Sequence, residues 1–551
     1  MSTGGEMVVR ALEEVGVEVV FGIVSVHNLP IYEALRHHPA IRTVAVRHEQ
    51  TALGMADGYA RTTGRLGVAI TSTGPGAANG MGAMLEAWTS SSPVLHLTGQ
   101  IDSHHLDQGR GFIHECKDQL GMLSSAAKWV RRVGTAGEIR QVVHTAALQA
   151  MAPRRGPAAV EIPIDLQYQG VEDSGEALPT LPQPPRPSSG AIDDAVAAIA
   201  AAARPLIWAG GGVLASGAEG RVADLAHRLG AGVITSASGR GAISEDDPLC
   251  LGNLSWEQAV RDLAAEADLL IAVGTRFQGP NTENWKMKLP SRLVHIDVDP
   301  QVIGTNYPAQ VAVVGDARTA LTDISARLPT GTSPDEAWVA DVGRARAQAR
   351  ARLRSTLGPW EVWLDAVTEL LPGPGTVVVK DSTIPAYTWG NRLLPVREPR
   401  TAIQPTSFAI GLGLPHALGA AVGRPDEATI CIVGDGGFML AATEISTAVQ
   451  HGIPVVILLF NDRGYGILRN IQAAQFDAAF KVDLATPDFC ALAMSMGAGA
   501  TRVTSVDELE KALPAALESG VVTLIEIDMT AVGDMAVTYT GTSKPPASTT
   551  A

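Results

Sequence analysis

Short apolar runs alternate along the chain with longer segments in which apolar residues recur at the three-to-four spacing of a helix. Runs at 17–23, 44–49, 68–71, 93–98 and 158–162 predict buried strands, and 5–16, 50–62 and 77–89 predict the helices between them. The same alternation returns with strands at 205–209, 269–273 and 293–298, and again at 376–379, 428–433 and 455–460 with a helix over 438–450. Strand and helix taking turns throughout predict α/β architecture, in which mostly parallel sheets are covered by helices on both faces. Two stretches break the pattern. VEDSGEALPTLPQPPRPSSG (171–190) and PTGTSPDE (329–336) are rich in Pro, Ser and acidic residues and predict linkers. The expected division is therefore a domain at 1–170, a linker at 171–190, a central domain at 191–328, a linker and helix at 329–358, a third domain at 359–535 and a polar tail or lid at 536–551.

Glycines mark where chemistry is expected. Gly434-Asp435-Gly436-Gly437 follows one apolar run, and Asn461-Asp462 ends the next. In a βαβ unit both lie at the strands' carboxyl ends, where open sheets bind ligands. Glycines let backbone N–H groups approach a phosphate, whereas an aspartate would repel one, so Asp435 reads as the ligand of a cation between protein and phosphate. Mg²⁺ takes few protein ligands and suits such a pair of oxygens. The tripeptide GDG alone is an ordinary turn; strand context and the second pair give it weight.

With these motifs the chain resembles the thiamine diphosphate enzymes, whose motif opens on GDG and closes on a pair of asparagines. The resemblance implies that Asp435, Asp462 and the carbonyl of Gly464 hold the metal, Asp462 being a departure from the commoner Asn. It also gives RHEQTALGMADGYARTTGRLGVAITSTGPGAANG a role, since that stretch is similar to the pyrimidine-binding domain of acetohydroxyacid (acetolactate) synthases. Glu49 would be the acid/base that activates the cofactor, with Pro75 and Asn79 in the turn beside it. Alone, a Glu at a helix start is a favourable dipole partner. Ser382 and Thr383, at another predicted strand end, and Gly434, Gly436 and Gly437 would line the diphosphate half, and Ile410 would wedge under the cofactor. The central domain carries FAD in some relatives and a nucleotide or nothing in others.

Substrate choice rests on fewer positions. His27 matches a histidine that faces substrate in benzaldehyde lyase, His114 falls near a family glutamine, and Val26 stands where the synthases have a glycine. Buried, satisfied histidines are the plain alternative; two imidazoles beside the reacting carbon could shuttle protons. The resemblance thus implies a lyase or carboligase acting on 2-oxo acids or 2-hydroxy ketones through a C2 ylide and enamine. A 2-oxo acid decarboxylase similar to benzoylformate decarboxylase, an FAD-dependent enzyme similar to pyruvate oxidase, and a non-catalytic cofactor-binding regulator stay open beside it. In the family the two halves meet across a subunit interface, which implies a homodimer or homotetramer.

Composition narrows the partners. The 551 residues carry a net charge of -15 and no basic run, which argues against nucleic acid; small carbonyl compounds are the partners that the resemblance implies. No apolar stretch reaches about 18–20 residues without polar breaks, so no membrane span is expected. The N-terminus shows neither signal nor transit pattern, and Cys116, Cys250, Cys431 and Cys490 show no paired spacing; both predict a cytoplasmic protein with free thiols.

Overall fold

The computed structural model describes residues 1–172, 175, 177–330, 333–476 and 478–535; the expected tail or lid at 536–551 lies outside them. The predicted alternation resolves into three parallel six-stranded sheets, each covered by helices. The first holds β1 (Val19–Gly22), β2 (Arg42–Ala45), β3 (Gly67–Thr71), β4 (Val94–Gln100), β5 (Trp129–Arg132) and β6 (Ala158–Pro163), in the order 2-1-3-4-6-5. The central sheet comprises β7 (Pro205–Ala209), β8 (Gly232–Thr235), β9 (Cys250–Gly252), β10 (Leu269–Val273), β11 (Leu293–Asp297) and β12 (Val311–Val314), in the order 9-8-7-10-11-12. The third comprises β13 (Val377–Lys380), β14 (Ala402–Ile403), β15 (Thr429–Gly434), β16 (Val456–Asn461), β17 (Gly499–Val503) and β18 (Thr523–Asp528). Its order, 14-13-15-16-18-17, repeats the first sheet strand for strand.

Strands buried on both faces explain the continuous apolar runs: β3, β4, β6, β7, β10 and β16 are buried end to end. The first and third domains join through α1 (Glu49–Thr63) and α4 (Gly413–Gly423); α2 (Pro75–Asn79) and α3 (Met81–Ser90) lie beside α1. Gly54 and Gly58 of α1 face Pro415 and His416, and Gly419 faces the Met55 carbonyl, leaving no room for side chains at the crossing. Buried there, His416 Nε2 stands 3.0 Å from Asp57 Oδ2.

Three predicted elements end differently. The run 44–49 stops as a strand at Ala45, where its β1 neighbour ends, so Glu49 opens α1 with His48 as its cap. The helix over 77–89 divides at Gly80, where a side chain would enter Leu53 of α1. The helix over 438–450 starts earlier, as α5 (Asp435–Met439), breaks at Ala441 (φ −134°) and resumes as α6 (Ile445–His451). Among the described residues no helix is long and apolar enough to cross a membrane.

Candidate active site

Parallel strands put every predicted site residue of the first domain at one sheet edge: His27 after β1, Glu49 after β2, Pro75 and Asn79 after β3, His114 after β4. The strand order reverses between β1 and β3, and ligands bind at such a switch point. Glu49 is half-buried and accepts from Asn79 Nδ2 (3.0 Å), while its Oε1 lies beside Gly76 close enough that a Cβ there would stand 2.9 Å away. Pro75 is exposed at the first turn of α2. The far side of the same turn, Gly74 at φ +53°, abuts the His114 carbonyl, so one glycine-rich turn separates the acid from the histidines.

His27 is buried, its Nδ1 3.3 Å from His114 Nδ1. Burial first, and then the charge His114 can carry, holds the His27 imidazolium below the ordinary histidine range. Its backbone carbonyl accepts from Gln167 Nε2 (2.9 Å), and Asn28, donating to the Ile23 and Thr71 carbonyls, fixes the loop that presents it. Val24 and Val26 on this loop and Ile113 opposite are exposed.

At the matching edge of the third domain stand Ser382 and Thr383 after β13, Ile410 after β14, the Gly434–Gly437 turn after β15 and Asp462–Gly464 after β16. A Cβ on Gly434 would meet Thr383 Oγ1 at 2.6 Å, and one on Gly436 would meet the Tyr465 ring at 2.7 Å and the Gly464 carbonyl at 3.6 Å. Asp381, buried, accepts from Gly411 N and Gly413 N (2.9 and 3.0 Å) and from Ser382 N (2.6 Å), anchoring the segment that carries Ile410. Ile410 is 38% exposed at the site edge instead of packed in the core.

Asp435 is 1% exposed, and both its carboxylate oxygens lack a hydrogen-bond partner of suitable geometry. Burial, and behind it the facing Asp462 carboxylate, pushes its carboxyl up; burial does the same to Asp462. A buried carboxylate beside a half-buried one is costly without a counter-charge. An oxygen-seeking divalent cation supplies one, and these oxygens with the Gly464 carbonyl fit Mg²⁺. The glycine turn beside them leaves backbone close to where a diphosphate would lie.

Two glutamates hold the ends in place across the domain boundary. Glu86 of α3, fully buried, accepts at Oε1 from Thr406 N and Oγ1 (2.7 and 3.0 Å) and at Oε2 from Ser407 N and Oγ (2.8 and 2.5 Å), just before Ile410. Arg61 Nη1 balances it at 3.1 Å. Glu444, after α5, accepts from Arg47 N (3.1 Å), two residues before Glu49. His451 Nε2 meanwhile accepts from Ala45 N (2.9 Å). Sequence reasoning missed both glutamates, because the groups that each one holds lie in the other domain. Glu86→Gln puts an amide NH₂ against donors and is expected to cost about 3 kcal/mol. A denaturant titration reads that loss, and an unchanged midpoint would show that an amide serves as well.

A pair of α/β domains with one strand order, an acid at the switch-point edge of the first and paired carboxylates at that of the third, defines a class: multidomain α/β proteins with two like halves that each present acidic groups at a ligand-binding edge. The chain belongs to the thiamine pyrophosphate enzyme family. Residues 2–122 match its N-terminal TPP binding domain, 192–324 its central domain and 385–527 its C-terminal TPP binding domain. A probable 2-ketoarginine decarboxylase of Pseudomonas aeruginosa is 35% identical over 530 residues, covering 95% of this chain and 94% of that protein. The acetolactate synthase large subunit of Haemophilus influenzae is 32% identical over 93% of this chain and 91% of its own length. The isozyme 3 large subunit of acetolactate synthase from Escherichia coli is 31% identical, over 94% and 92%.

Proposed function

We propose that the protein uses thiamine diphosphate and Mg²⁺ to make or break a C–C bond beside the carbonyl of a 2-oxo acid or 2-hydroxy ketone. The observation that carries this is the unpartnered, buried Asp435 carboxylate facing Asp462 at one sheet edge, with Glu49 at the equivalent edge of the other sheet. Thiamine diphosphate, when bound, supplies a carbon nucleophile that adds to a carbonyl and accepts the electron pair of the bond that breaks. The protein's part is to hold it and to move protons. Glu49 keeps one oxygen on Asn79 and leaves Oε1 to share a proton with a ring nitrogen. Asp435, Asp462 and the Gly464 carbonyl hold the metal, and the turn from Gly434 to Gly437, with Ser382 and Thr383, receives the diphosphate. Ile410, exposed at this edge, would offer the cofactor an apolar surface. His27 and His114, nitrogens 3.3 Å apart, are placed to give a proton to a carbonyl oxygen or take one from a hydroxyl.

Exposed apolar side chains surround both ends: Val24, Val26 and Ile113 on one, Phe408, Ile410, Met439, Leu440 and Leu468 on the other. A second copy covering them completes two sites, the first domain of one protomer against the third of its partner. This supports a homodimer as the smallest active form.

Incubation with pyruvate, benzoylformate, benzoin and 2-ketoarginine, following CO₂ and ligated product separately, tests the reading. Ligation or cleavage of a hydroxy ketone supports the carboligase; CO₂ with aldehyde alone supports the second reading, a 2-oxo acid decarboxylase. That second reading draws on the similarity to the Pseudomonas protein and on a histidine pair able to supply the closing proton. No turnover with any donor would sink both. A cavity of about 600 Å³ between the central domain and the first, lined by Gly211, Gly212, Gly274, Arg276 and Asp297 on one side and by Arg154 and Arg155 on the other, has the size and the glycine edges for FAD or another nucleotide. A yellow purified protein would identify FAD.

A further inference from the structure

Asp462 stands where the family's commoner residue is a neutral Asn, so the metal end carries one negative charge more than it needs, and a diphosphate must approach it. The loop that bears it is held in an unusual way. Arg463 has φ +60°, Gly464 pairs with Asp483 in a single antiparallel bridge, Tyr465 N donates to the Val482 carbonyl (2.8 Å), and Leu484 N donates to the Arg463 carbonyl (3.0 Å). α7 (Gly466–Gln475) starts immediately afterwards, and helical side chains lean back toward the N-terminus. Arg469 therefore returns to the loop. Its Nη1 lies 3.4 Å from Asp462 Oδ2, and its Nη2 donates to the carbonyls of Asp462 (3.3 Å) and Arg463 (3.4 Å). Nε donates to Asp483 Oδ1 at 3.0 Å, fastening the guanidinium to the paired segment. A Cβ on Gly464 would stand 2.5 Å from Nη2, so the guanidinium lies directly over the residue whose carbonyl is assigned to the metal.

We propose that Arg469 is the counter-charge of Asp462: a positioning residue that offsets the additional carboxylate and fixes the metal loop, so that a diphosphate–Mg²⁺ pair is accepted where Asp replaces Asn. The inference rests on the cofactor reading above. A charge balanced within the protein lowers repulsion of the diphosphate without contributing a ligand. Lysine would keep the charge but lose the fork that spans two carbonyls and two carboxylates.

The test is binding of thiamine diphosphate at saturating Mg²⁺, read by quenching of intrinsic tryptophan fluorescence, for wild type, Arg469→Gln, Asp462→Asn and the double variant. Arg469→Gln is expected to weaken binding roughly tenfold, and the double variant to recover most of that loss, a coupling in the range seen for charges in contact. Arg469→Lys should fall between wild type and Gln. Wild-type affinity in Arg469→Gln would overturn the inference. So would an equal loss with and without Asp462, which would make Arg469 a structural strut of the loop; apo thermal melts of all four report such loosening directly. Wild type that binds no cofactor would overturn the cofactor reading and this inference with it.

Discussion

Glu49→Gln is expected to lower kcat by about 10² to 10⁴, the range by which a positioned acid or base accelerates proton transfer, with little change in the affinity for thiamine diphosphate. Gln is isosteric, and its carbonyl oxygen can still accept from Asn79 Nδ2, so the turn from Thr73 to Gly76 should keep its place. What the variant loses is a group that can share a proton with the ring nitrogen. Single-turnover measurements with saturating cofactor separate the two effects. If kcat stays within a factor of about two, Glu49 is only the favourable first-turn residue of α1, a contribution of under 1 kcal/mol.

Asp435→Asn should act earlier, on retention of the cofactor. The amide keeps one oxygen but removes the charge that makes the site attractive to a cation, and it places NH₂ donors in a pocket shaped for acceptors. Affinity for Mg²⁺ in the presence of thiamine diphosphate is expected to fall by about 10² or more, in line with the loss of a charged hydrogen-bonded partner at a buried site. Raising Mg²⁺ should restore part of the activity, which distinguishes this variant from Glu49→Gln. Activity that survives gel filtration into chelator would remove Asp435 from the metal.

The two expectations differ in how openly the sequence displayed them. Asp435 sits in a glycine turn between two uninterrupted apolar runs, so strand, turn and ligand are contiguous and visible. Glu49 shows nothing by itself; only resemblance over the surrounding stretch singled it out. The sheets were legible because strands covered on both faces must be apolar throughout. Helix ends were less so: the breaks at Gly80, which lies against Leu53 of α1, and at Ala441 fall inside runs whose apolar spacing continues the helix. Glu86, Glu444 and Arg469 were invisible, since their partners lie in other domains or across a loop. Ile410 was ambiguous in sequence, an apolar residue beside glycines, and its exposure decides against a core role.

The repeated strand order has a consequence for how the two halves divide their labour. Like edges carry unlike groups: after its third strand the later sheet has Asp435 where the earlier has Pro75-Gly76, and after its second the earlier has Glu49 where the later has Ile410. A brace crosses the boundary in each direction, Glu86 onto the third domain and Glu444 onto the first. Each domain is thus the other's scaffold, and a change that loosens one brace shifts the edge its partner carries.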